Sequence, residues 1–177
     1  MFNRINISKI IYAHLKTLRR LDQNKNSESI YWKDTITFFI FPGLLSILLC
    51  YLELNVKSQL ANLIAIISIF GGFLFNLLAI IYSYTDKINS SNSTPIQKIF
   101  VKEINSNISF CILLSIFIVI VLLSYALIPE HNCALIMKYI IHIIEYIIYF
   151  LSILFFLTLL MVLSRIFILL EKEGDKK

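Results

Sequence analysis

His142 and Glu145 lie one helical turn apart near the start of a long apolar run, a spacing that sets an imidazole and a carboxylate on one helix face. Such a pair can share a proton or form an ion pair. Repeated around a symmetry axis, it would make an acidic ring that selects cations. Local pairing of Glu145 with His142 or Lys138 at the level of the lipid headgroups explains the same residues more simply, and both readings stay open. Glu145 is the one acidic residue well inside an apolar run, where an ionisable group calls for a functional account. Glu53, Glu130 and His131 fall at the same level, so loops too can supply an acidic mouth.

Four cations form a second constellation. At about 100° per residue, Lys9, Lys16, Arg19 and Arg20 gather with Tyr12 on one face of an N-terminal helix, and Ile7, Ile10, Ile11, His14, Leu18 and Leu21 gather on the other. An interfacial helix on anionic lipid has this pattern. So does a helix whose apolar face packs on neighbouring subunits and whose cations bind a nucleotide or oligonucleotide through its phosphates. His14 reads as a packed or interfacial histidine, because nothing near it in the sequence completes a ligand set.

Gly71 and Gly72 sit mid-run between Phe70, Phe73 and Phe75, with Asn76 about one turn further on. Small residues let membrane helices approach closely, which is the plain reading. The functional reading is a hinge beside an apolar constriction that gates by dewetting, with Asn76 as the first polar surface beyond it. Pro42 and Gly43 predict a second kink.

No catalytic machinery accompanies these groups. Ser152, Thr158 and Ser164 have no positioned His and Asp to make a triad, and the chain lacks H-E-x-x-H, G-x-S-x-G and phosphate-binding glycine loops. Cys50, Cys111 and Cys133 fit no metal-ligand spacing and read as packing residues, Cys50 being the sole plausible covalent partner for Cys133. A non-enzyme without cofactor is expected.

The elements that must position these residues are apolar runs of membrane length. About 20 residues cross a hydrocarbon core about 30 Å thick, and four stretches supply them: Thr35–Leu54, Leu60–Tyr84, Ile104–Ile128 and Tyr139–Leu170. The last is long enough to tilt or project. With 58% hydrophobic and 15% charged residues, the composition opposes a water-soluble core, and length favours helices over strands, whose backbone would stay unpaired in lipid. Of the 16 Lys and Arg, 14 fall in the N-terminal segment, the 85–103 connection or the C-terminal end, leaving only Lys57 and Lys138 across the membrane. By the positive-inside rule both termini are cytoplasmic.

The expected layout is an all-α membrane protein: residues 1–34 as an amphipathic helix and linker, 35–170 as four transmembrane helices, and 171–177 as a charged tail. The polar start predicts insertion without a cleaved signal peptide. Thr94 and Pro95 predict the start of a helix that runs through Ile96–Glu103 into the third span. The segments outside lipid are too short to bury a core of their own.

A basic helix over Ile7–Arg20 followed by four spans carrying Gly71-Gly72 and Asn76 resembles the small four-span membrane effectors of bacterial anti-phage defence, including the channel component paired with a nucleotidyltransferase in the Hailong type. The resemblance implies a homo-oligomeric, tetrameric channel in the bacterial inner membrane that depolarises infected cells. Its state would be set by a nucleotide or oligonucleotide made by the partner nucleotidyltransferase. The corresponding site assignments are Lys9, Lys16, Arg19 and Arg20 for the ligand, Phe70, Gly71, Gly72, Phe73 and Asn76 for the gate, and His142 and Glu145 for ion selectivity. A small proton-coupled transporter using Glu145, and a membrane anchor or scaffold for a partner protein, are the competing expectations.

Overall fold

The computed structural model describes residues 7–17, 32–52, 56–90, 95–128 and 135–174, and among them there are helices and no strands. Five α-helices follow in order: α1 (Ile7–Thr17), α2 (Trp32–Tyr51), α3 (Leu60–Ser90), α4 (Pro95–Ala126) and α5 (Leu135–Gly174). A single 3-10 turn, Lys57–Gln59, leads into α3. Three helices, α3, α4 and α5, are long and apolar enough to cross a membrane, while α2 contributes a shorter apolar stretch, Phe38–Tyr51.

Several helix ends extend beyond the apolar runs that mark them, whereas α4 stops at Ala126, two residues before its run ends at Ile128. α3 continues six residues past Tyr84 to Ser90 and α5 starts at Leu135 rather than Tyr139, because backbone hydrogen bonding does not stop where hydropathy falls. α4 begins at Pro95, whose missing N–H is tolerated in the first turn. Pro42 lies inside α2, and the nearby Ser46 hydroxyl donates to its carbonyl.

The helices pack as a row: α3 against α4, α4 against α5, and α5 against α2, with α1 laid on α4. α4 is therefore the central element. Its buried positions Val101, Ile104, Ile108, Cys111, Ser115, Ile118, Leu122 and Tyr125 are spaced alternately by three and four residues, the spacing of a helix seam. α3 answers with Ile67, Gly71, Leu74 and Ile81. Gly71 leaves no room for a side chain: a Cβ there would stand 2.9 Å from the Ser115 hydroxyl oxygen. Where α2 meets α5, a Cβ on Gly43 would lie 3.6 Å from the Tyr146 hydroxyl.

Candidate functional site

Three polar features stand out from this apolar frame. The first is a buried cluster where α1 meets α4. His14 is 1% exposed and Asn107 fully buried, with the His14 Nδ1 2.9 Å from the Asn107 carboxamide oxygen. The Thr17 hydroxyl lies 2.7 Å from that same oxygen and 2.7 Å from the His14 carbonyl, so its one proton serves either acceptor. The His14 ring stacks on Phe110 at 3.9 Å between centroids, nearly parallel, and Phe38 of α2 approaches at 6.1 Å.

α5 closes the cluster through Arg165. Its Nη1 pairs with Glu103 of α4 and its Nη2 donates to the Thr17 carbonyl at 2.6 Å. That carbonyl belongs to the last described turn of α1, and the guanidinium is a charged donor to it. One guanidinium thus ties α1, α4 and α5 together. Burial is the main reason that His14 is pushed down to about 4 from an ordinary 6.5; the nearby Arg165 charge adds to this, and the Asn107 hydrogen bond opposes it. Two buried atoms of the cluster, His14 Nε2 and Asn107 Nδ2, have no hydrogen-bond partner among the described residues.

The second feature sits at the opposite end of α4 and α5. The Tyr125 hydroxyl donates to Glu145 at 2.6 Å, and His142 Nδ1 lies 3.3 Å from the other carboxylate oxygen. Glu145 is half-buried between these two, whereas His142 is largely exposed. Nearby, the Lys57 ammonium donates to the Ile128 carbonyl just past α4, at 2.7 Å.

The third feature is the outward face of α3. Ala65, Ser68, Gly72, Asn76, Ala79 and Ser83 are all exposed, and at about 100° per residue they fall within an arc of about 80°. No large apolar residue occupies that arc between Ala61 and Asp86. The surface beside it is bulky, with Phe73 64% and Phe75 55% exposed.

The five residues read from the sequence as a gate are divided by this sidedness. Phe70 faces inward and meets Phe156 edge to face at 6.1 Å, and Gly71 is buried against α4. Gly72, Phe73 and Asn76 point away from the chain, and a Cβ at Gly72 would meet nothing within 4 Å. Of the four cations, Lys9 and Lys16 are exposed on α1, while Arg19 and Arg20 lie outside the described residues. The buried side of α1 comprises His14 and Thr17 with the half-buried Ile10 and Ala13; Ile7 and Ile11, expected on the apolar face, are 43% and 39% exposed. Cys133 also falls outside the described residues, and Cys50 and Cys111 are free thiols.

Asn107 and Glu103 were not singled out in the sequence. The signal available was a polar triplet, Asn105-Ser106-Asn107, continuing inside an apolar helix, with Arg165 as the one cation within the last run. No group of three or more His, Cys, Asp or Glu among the described residues is placed to hold a metal ion. No family model, curated protein or solved structure matches the chain.

Proposed function

We propose that the chain is one subunit of a homo-oligomeric ion channel, with four membrane-crossing helices, both termini in the cytoplasm, and the outward face of α3 turned toward the axis. The observation that carries this reading is the small and polar stripe on α3. A helix facing lipid is expected to present large apolar groups, whereas small residues mark helix–helix contacts and Ser and Asn side chains offer water a surface. The stripe runs the length of the helix, so a single chain in lipid would leave it unmatched. In this reading α2, about 30 Å long at about 1.5 Å per residue with Phe38–Tyr51 as its apolar part, makes the fourth crossing.

Within this reading Gly72, Phe73 and Asn76 form the narrow part of the pathway, and Phe70 and Gly71 hold α3 against its own subunit. His142 and Glu145 stand at the outer end as a selectivity element, with Glu145 oriented by Tyr125. Lys9 and Lys16 point away from α4, so α1 can present them, with Arg19 and Arg20, to a phosphate-bearing cytosolic ligand. A tetramer in the bacterial inner membrane, opened by a nucleotide or short oligonucleotide during defence against phage, is the biological setting we propose.

Two measurements test it together. Detergent-solubilised protein should exceed the mass of one chain plus micelle by several subunits, and reconstituted protein should pass discrete currents. Phosphorylated cytosolic ligands should change those currents in wild type and lose their effect in Arg19→Ala/Arg20→Ala. A strictly monomeric, non-conducting particle contradicts the channel and favours an anchor.

A further inference from the structure

The cluster around His14 is the most completely enclosed polar group among the described residues, and it belongs to the helix least supported by apolar packing. The described part of α1 is 11 residues long, and short helices in water rely on packing for their stability. Its buried side chains are the polar His14 and Thr17, not leucines or phenylalanines. Beside the half-buried Ile10 and Ala13, its attachment to the bundle comes from hydrogen bonds to Asn107, the ring stack with Phe110 and Arg165 at the Thr17 carbonyl.

We propose that α1 is a detachable latch, held on α4 by neutral His14 and released when that imidazole takes up a proton. The charged groups facing the lock come from two helices: Arg165 of α5, and Glu103 of α4, which is already engaged by that arginine. Among the described side chains, α2 contributes the Phe38 ring to this contact, and α1 carries its own Lys9 and Lys16 on the exposed side. A proton on His14 would thus create a cation in an enclosed site, beside an arginine and with a neutral carboxamide as its polar ring partner among the described residues. Burying a charge without an opposite charge is costly, and the way to rehydrate it is to lift α1. Lifting also breaks the Arg165 contact with Thr17, so the state of α1 is felt directly by α4 and α5.

The sign follows from the direction of the shift. The docked imidazole resists protonation down to about 4, whereas in the undocked helix it titrates near 6.5. Docking is at full strength above about pH 6.5 and weakens as pH falls toward 4, by a factor on the order of a hundred. The inference does not rest on the channel reading, because docking is read without any current.

The experiment is amide hydrogen exchange on the full chain in detergent at pH 7.5 and pH 4, corrected for the intrinsic pH dependence of exchange. Protection of 7–17 should fall on the order of a hundredfold at pH 4 while that of 104–122 in α4 is retained. Asn107→Asp places a carboxylate against Nδ1 and should keep α1 protected in acid, which separates His14 from Glu103 as the titrating group. Because that variant can fail to fold, ring NMR of His14 in wild type supplies a second arm: its midpoint should lie well below 6.5, with α1 protection falling as pH drops toward it. Unchanged protection at pH 4, an unaltered pH dependence in folded Asn107→Asp, or a His14 midpoint at or above 6.5 would overturn the proposal.

Discussion

The two faces of α3 carry opposite instructions on one helix. Toward α4 it presents Ile67, Gly71, Leu74 and Ile81, a seam in which the glycine admits a neighbouring serine. Away from α4 it presents Ala65, Ser68, Gly72, Asn76, Ala79 and Ser83, and among the described residues no other part of the chain packs within 4 Å of a Cβ at Gly72. Adjacent glycines therefore have unrelated reasons to be small. Gly71 is small because α4 is there, and Gly72 because, in our reading, something outside the chain must be.

The largest expected effect contrasts two isoleucines across this divide. Ile67 is fully buried and Ile69 57% exposed. Ile67→Ala should cost about 2–5 kcal/mol through the cavity it leaves, and Ile69→Ala no more than about 0.5 kcal/mol. Unfolding in detergent measures both, and equal losses would erase the difference between the faces.

A smaller effect separates the glycines by sign. Gly71→Ala drives a Cβ against the Ser115 hydroxyl oxygen at 2.9 Å but leaves the Ser115 Cβ at 3.6 Å. The Ser115 hydroxyl must turn aside, which offsets the about 0.5–1 kcal/mol that alanine contributes over glycine in a helix, so the substitution should be destabilising by no more than about 1 kcal/mol, and adding Ser115→Ala should turn it stabilising in a double-mutant cycle. Gly72→Ala meets no such neighbour and should stabilise the helix by about 0.5–1 kcal/mol. A destabilising Gly72→Ala in an isolated subunit would show that its face is already occupied within the chain.

Much of this was legible in the residues. Apolar runs located the three membrane-length helices and the shorter apolar stretch of α2, and Pro95 located the start of α4, because length and the missing proline N–H act locally. The side that each helix buries was not legible. α4 is apolar all round, so buried Ile118 and Leu122 are chemically the same as exposed Ile116 and Leu123, and periodicity gives no direction. α3 was the exception, since its small residues follow a helical stripe of which only Gly72 and Asn76 were recognised. The His14 lock was hidden for another reason: its partner Asn107 lies 93 residues away, and only tertiary packing brings them together. The reading of Glu145 as locally paired with His142 is met in the structure, with Tyr125 as an added partner that sequence spacing does not show.

The outward face of α3 as the wall of an aqueous pathway is the central claim, and thiol modification at Asn76 tests it most directly. With Cys50, Cys111 and Cys133 replaced by alanine, Asn76→Cys channels should lose current when a charged, water-soluble thiol reagent is applied, and Ser115→Cys channels, with the thiol buried against α3, should not. Undiminished current through Asn76→Cys channels under the same reagent would contradict the account and return the stripe to a dry contact between helices.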